Sequence, residues 1–300
     1  MERVWGGRRL EALYGKRLPP GATIGESWEF VDRPEAQSVV REGAYRGRTL
    51  HELWLESREL VFGGIPDAPR FPLLVKLLDA QEKLSLQVHP PPEVAGEIGG
   101  ESKTELWYIA DAAAGAELYA GLEKHSSRRK IEEALQSGTV EDHIHRLSVR
   151  SGDAMFLPSG RVHAIGAGIV IVEIQQNSDT TYRVFDWNRA GADGSPRELH
   201  IAESLRSIDF ADYEPGLVES HGESLLRHQL FDVEKWQLTG ARCVTAQGSF
   251  AIVHCLTGEL ECSGVRLRPG EFFLVPACLE ERHLAPAAED TSLLRVTIRS

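Results

Sequence analysis

The sequence predicts a mainly β fold, and three stretches carry that expectation. Over residues 85–89, polar and apolar residues alternate, so a strand there places Ser85, Gln87 and His89 on one face and Leu86 and Val88 on the other. Residues 103–109 repeat the pattern, with Lys103 and Glu105 pointing one way and Thr104 and Leu106 the other. GIVIVEIQ, residues 168–175, is the most β-branched run in the chain and is expected as a central strand. A carboxylate, an imidazole and an amide oxygen facing one another from such strands are ligand types that a borderline divalent metal such as zinc takes.

The remaining elements follow in order. Residues 3–30 alternate short apolar pieces with glycine and proline, as an edge strand and turns do. TLHELWLESRELVF, residues 49–62, predicts one helix that ends before Gly63 and Gly64. Residues 70–78 are apolar and lead a strand into the core, and residues 79–83 form a polar turn. SSRRKIEEALQSG, residues 126–138, has a serine near its start and a glycine at its end, the signature of a capped helix. Residues 200–210 predict a connecting helix, and the polar stretch 212–221, with its Pro215-Gly216 step, marks a boundary. The expected domains are 1–210 and 211–300.

Three hundred residues suffice for two modest domains with real cores, and 42% hydrophobic with 26% charged residues is ordinary globular composition. The start, MERVWGGRRL, has no apolar run of signal-peptide type, and no stretch is apolar for long enough to cross a bilayer, so a cytoplasmic protein is expected. The four cysteines, Cys243, Cys255, Cys262 and Cys278, lack the paired spacing of a zinc site and are expected to be buried, reduced thiols on strands. A net charge of -12 argues against nonspecific nucleic-acid binding. An anionic ligand would need a local basic cluster.

In GDAMFLPSGRVH, Gly152 is followed by five residues, Pro158, one residue, Gly160, two residues and His163. This spacing resembles the second motif of the cupin superfamily, whose histidine is a metal ligand on a small β-barrel. The motif's later asparagine is replaced by Ala167, Gln87 stands for the first histidine of the first motif, and Glu105 lies beyond a proline- and glycine-rich insert at residues 90–100. QVHP, KTELWY and LPSGRVHAI, together with RVWGG, GESWEF and NSDTTYRVFDW, resemble class I mannose-6-phosphate isomerases, also called phosphomannose isomerases. The resemblance covers the first two thirds of the chain. Beyond about residue 200 it is one of architecture.

The resemblance implies two cupin-like β-barrels of jelly-roll type with added helices. In the second, LRPGEFFLVPACLEE repeats the glycine-to-proline spacing at Gly270 and Pro276, but Cys278 stands where Gly160 does and Glu281 where His163 does, so this barrel is expected to lack a metal site. The resemblance further implies Gln87, His89, Glu105 and His163 as ligands of one zinc per chain, and a zinc-dependent interconversion of mannose 6-phosphate and fructose 6-phosphate through an enediol(ate). Four ligands without thiolate suit a catalytic metal better than a closed structural one. The substrate would be a small sugar phosphate, with no nucleic acid, membrane or obligatory protein partner.

Ser85 and Lys103 share strand faces with the ligands and are candidates for binding the phosphate. Arg183 resembles the family's active-site arginine and would clamp the phosphate or stabilise the enediolate; its rival role is that of a surface arginine beside a strand. Lys103, a histidine outside the ligand set or a metal-bound water are all open as the group that moves the proton. Glu26 and Glu29 match the family pattern, yet a helix cap or a surface charge explains them equally well. Two other functions compete: a cupin oxygenase using iron, and a sugar-phosphate-binding regulator without catalysis.

Overall fold

Backbone pairing turns these alternating stretches into stacked antiparallel sheets. The computed structural model describes residues 1–189 and 195–298, and its chain divides into two units: residues 1–8, 18–28 and 75–217, and residues 9–17, 29–74 and 218–300. A single cut at residue 210 does not foresee that two N-terminal stretches belong with the second unit. Each unit has a five-stranded sheet facing a second sheet, the cupin-like sandwich in mainly β form.

In the first unit, one sheet runs in the order Ala154–Leu157, Glu105–Ala112, Ile169–Gln176, Leu73–Ala80, Glu26–Phe30. The other runs Tyr182–Phe185, Leu86–Val88, His163–Ile165, Glu117–Leu122, Ile144–Ser148. The β-branched run is central, as expected, because both its faces are buried. Trp107, Ile109, Leu118, Met155, Leu157, Ile165 and Ile171 form one core cluster, drawn from the inward-facing residues of both sheets. Leu86, Val88, Tyr119, Val162, Ala164 and Val184 form another on the back of the second sheet, where the helix Arg128–Ser137 adds Ile131 and Ala134. That helix begins at Ser127, whose side chain accepts from Lys130 N, and stops at Gly138 in the left-handed region at φ 73°. The expected connecting helix is Ile201–Ser207.

The helix expected over residues 49–62 is two helices. Thr49 and Glu52 form a reciprocal capping box for Leu50–Glu56, the chain breaks at Ser57, and Arg58–Phe62 ends at Gly63 as foreseen. Their apolar side belongs to the second unit, where Trp54, Phe62, Phe71 and Phe250 pack edge to face, with Trp54 and Phe62 centroids 5.2 Å apart and Phe62 and Phe250 5.5 Å apart. Near the start, the strand Glu2–Gly7 is followed by a short helix, Arg9–Tyr14, that the glycine-rich pattern conceals. Among the described residues no helix is long and apolar enough to cross a membrane.

The second unit repeats the sheet order, with Ser224–Arg227, Asp232–Gln237, Ser292–Thr297, Ala251–Thr257 and Phe272–Val275. Its register shows what stands at the ligand positions. In the first unit Glu105 pairs with Leu157, the residue before Pro158; in the second, Ala251 pairs with Val275, the residue before Pro276. A methyl group therefore occupies the place of the carboxylate. The following strand, His283–Pro286, opens two residues after Glu281, and both Glu281 and His283 are exposed. The cysteine expectation holds for two of four: Cys255 and Cys262 are buried, whereas Cys243 and Cys278 are exposed, Cys243 on a two-residue edge strand and Cys278 in a turn.

Candidate active site

Alternation decides which side chains can meet. Leu86 and Val88 belong to the outer core cluster, so Gln87 and the flanking His89 turn toward the interior of the sandwich. Val162 and Ala164 face out in the same way while Ile165 faces in, which turns His163 inward on the next strand, directly opposite Gln87. Glu105 comes from the facing sheet, one alternation before Trp107 and Ile109. Three of the four expected ligands, His89, Glu105 and His163, present their ligand atoms within 4.8 Å of one another, and all three are buried. Gln87 joins them, its amide nitrogen 3.2 Å from His163 Nε2.

The hydrogen bonds fix how the imidazoles are presented. His89 Nδ1 donates to the Thr180 carbonyl at 2.8 Å, and His163 Nδ1 to the Arg161 carbonyl at 2.9 Å. Both Nε2 lone pairs are thereby turned toward Glu105, at 3.7 Å from Oε2 for His89 and 3.4 Å from Oε1 for His163. His89 Nε2 and Glu105 Oε1 find no hydrogen-bond partner among the described residues. Acceptors converging on one point out of reach of water are unfavourable unless a cation lies between them. The donor set, two neutral imidazoles, a carboxylate and an amide, therefore fits a borderline divalent ion. Burial lowers the pKa of His163 to about 3, and burial followed by the charge of Lys103 lowers that of His89, so both imidazoles stay neutral at pH 7, as ligands must. Burial pushes Glu105 up to about 7 against the pull of Lys103.

Lys103 lies 3.0 Å from Glu105 Oε2 and 3.8 Å from Glu173 Oε1, and it is buried. Burial works against its ammonium, but Glu105 and Glu173 outweigh it and hold the pKa above its ordinary value. Ser85 is buried two residues before Gln87. Arg183 stands opposite Gln87 on the other neighbouring strand. Its guanidinium is half-buried, with Nη1 donating to the Glu198 carbonyl at 2.6 Å rather than to the cluster.

Sequence reasoning missed the charges behind these residues. Lys76 is buried, 3.5 Å from Glu173, 3.9 Å from Glu26 and 3.9 Å from Asp179, with Nζ 4.8 Å from the centre of the Trp28 ring. Glu173 also accepts from Trp107 Nε1 at 2.9 Å. Signs therefore alternate along Glu26, Lys76, Glu173, Lys103 and Glu105. A signal was present: Lys76 interrupts the apolar run LLVKLL, and Glu173 sits inside IVIVEI, where a lone charge on a two-sided buried strand requires a partner. Glu26 is neither a helix cap nor a surface charge. It lies on a strand, accepting from Arg3 at 2.7 Å and Trp28 at 2.8 Å.

Burial raises the Glu26 pKa, but Lys76 and Arg3 more than offset it and hold it at about 2. The stabilisation from this lowered carboxyl is fully present above its unfolded value near 4.5 and is lost as pH falls through about 2. We expect Glu26→Gln to be less stable than the parent at pH 7 by on the order of 3 kcal/mol. The gap should narrow below pH 4.5 in urea unfolding. A gap of constant size from pH 7 to pH 3 would show that the ionisation of Glu26 contributes nothing.

Comparison with known proteins agrees with this arrangement. Residues 1–120 match the family model described as phosphomannose isomerase type I, catalytic domain. The chain is 40% identical over 305 residues to mannose-6-phosphate isomerase ManA of Bacillus subtilis (strain 168), covering 96% of this chain and 94% of the relative. The crystal structure of the mannose 6-phosphate isomerase from Bacillus subtilis superposes with a TM-score of 0.87 at 35% identity, covering 99% of this chain and 97% of that one. A mannose 6-phosphate isomerase crystallised with zinc and yttrium shares the fold, with a TM-score of 0.76 at 18% identity, covering 100% of this chain and 97% of that one. With similarity running through both sandwich units and the inward-facing histidines and glutamate on their strands, the chain belongs to the type I phosphomannose isomerase family.

Proposed function

We propose that this protein interconverts mannose 6-phosphate and fructose 6-phosphate, using one zinc ion held by Gln87, His89, Glu105 and His163. The observation that carries the proposal is the buried convergence of His89, Glu105 and His163, which supplies neutral imidazoles and a carboxylate with unsatisfied acceptor atoms. A half-turn of the Gln87 carboxamide exchanges its nitrogen for its oxygen beside His163 and completes the set. Zinc bound there would act as a Lewis acid toward an oxygen of the sugar.

The isomerisation removes a proton next to a carbonyl, holds an enediolate and returns the proton to the neighbouring carbon. Lys103, kept protonated between Glu105 and Glu173, is assigned as a donor to the developing negative oxygen or to the phosphate. Ser85 is assigned to phosphate binding, and Arg183 to stabilising the enediolate. Burial of the cluster keeps water from competing for these donors. These residues all fall within residues 1–210 and in the unit built from residues 1–8, 18–28 and 75–217, to which we assign catalysis, leaving the other unit a sandwich without chemistry. The substrate class, a metabolic sugar phosphate, supports a cytoplasmic location.

Purified protein given mannose 6-phosphate should form fructose 6-phosphate, lose that activity to a chelator and regain it with zinc. Turnover that survives complete removal of metal would refute the zinc-dependent reading, and failure to convert the sugar at all would refute the isomerase reading. For Arg183, lysine keeps the charge but loses the planar two-pronged donor. Arg183→Lys is expected to lower kcat roughly ten- to a hundredfold with little change in KM. Steady-state kinetics with both constants unchanged would remove Arg183 from the site.

A further inference from the structure

Beside Glu105 lies a polar side chain to which the proposed mechanism gives no part. Gln175 is opposite Glu105 in strand register and is fully buried. Its amide nitrogen donates to the Gln176 and Ser178 carbonyls, each at 2.7 Å. Two carbonyl acceptors leave no doubt about which end of the carboxamide is the nitrogen. Gln175 therefore fastens the turn after its own strand from inside the sandwich.

The turn carries that restraint forward to the cluster. Ser178 Oγ accepts from Thr180 N at 3.2 Å and donates to the Glu101 carbonyl at 3.2 Å, while Glu101 N donates to Thr180 Oγ1 at 2.9 Å. Thr180 is thus held on both sides, and its carbonyl is the acceptor for His89 Nδ1. An imidazole whose Nδ1 hydrogen is committed in this way keeps its Nε2 lone pair free and aimed.

We infer that Gln175 is a positioning residue for His89, acting through the 176–180 turn: its two hydrogen bonds hold the Thr180 carbonyl where it selects the Nδ1–H tautomer of His89. This rests on His89 being a zinc ligand. The polar groups on the same face, Glu173 two residues before it and Glu105 opposite, make no hydrogen bond to Gln175, so they do not call for an amide at this position. The two carbonyls of the turn do.

The test is Gln175→Met, which keeps the length of the side chain and removes both donors. Zinc affinity, measured by competition with a chromophoric chelator, should fall ten- to a hundredfold, the range typical of outer partners of a metal-binding histidine. In the metal-free protein, nitrogen-15 NMR of the histidine side chains should show His89 changing from a single Nδ1–H tautomer to a mixture. Affinity within twofold of the parent overturns the inference, as does a loss of affinity with the His89 tautomer unchanged. If Gln175→Met does not fold, Ser178→Ala carries the test, since it frees Thr180 N while leaving the Gln175 side chain in place, and the same two readouts decide. His89→Ala separates the two levels of the argument: unchanged zinc affinity there refutes His89 as a ligand, whereas a loss in His89→Ala without one in Gln175→Met refutes only the role of Gln175.

Discussion

A carboxylate withdrawn from water has to be matched by positive charge, and much of the first unit is arranged around meeting that demand for Glu105. Lys103 meets part of it at 3.0 Å, and Lys103 is in turn flanked by Glu173, which faces Lys76, which faces Glu26. In such a row each charge makes its neighbour's burial tolerable, and loss of one partner leaves an uncompensated ion, typically at a cost of about 3–5 kcal/mol. The remaining face of Glu105 looks at two imidazole lone pairs, which supply no positive charge at neutral pH. A divalent cation between them would resolve that conflict.

The second unit shows that the fold does not need this arrangement. Its strands take the same order, but Ala251 occupies the register position of Glu105, and the interior is apolar, built from Val253, Cys255, Leu260, Leu284 and Leu293. A buried histidine, His254, is present one alternation away from that interior. Stacked on Phe272 at 4.0 Å and donating to the Glu271 carbonyl, it is kept neutral by burial, with its pKa lowered to about 3. It packs as a core residue, as a lone histidine usually does.

How much of this was legible follows from the kind of pattern each feature leaves. The strands that bring His89, Glu105 and His163 together were legible because alternation and motif spacing both depend on residues close in sequence: Gln87 and His89 are two apart, and His163 follows Pro158 by five. Lys76 and Glu173 were less so: each stands out as a lone charge in an apolar strand, but its partners lie far away in the chain, Glu173 being nearly a hundred residues from Lys76. The break at Ser57 has no signal in helical periodicity, since residues on both sides face the same aromatic cluster. The assignment of residues 9–17 and 29–74 to the second unit is a matter of packing between distant stretches, which no local pattern records. The exposure of Cys243 and Cys278 was hidden for a similar reason: a cysteine on a short edge strand or in a turn has the same neighbours in sequence as a buried one.

The central claim is that Glu105 and its facing histidines exist to hold a metal. Crystals grown with zinc and measured on both sides of the zinc absorption edge test it most directly. The account predicts one strong anomalous peak among Gln87, His89, Glu105 and His163, and none between the sheets of the second unit. A map with no peak at that cluster, or with an equal peak in the second unit, would contradict it.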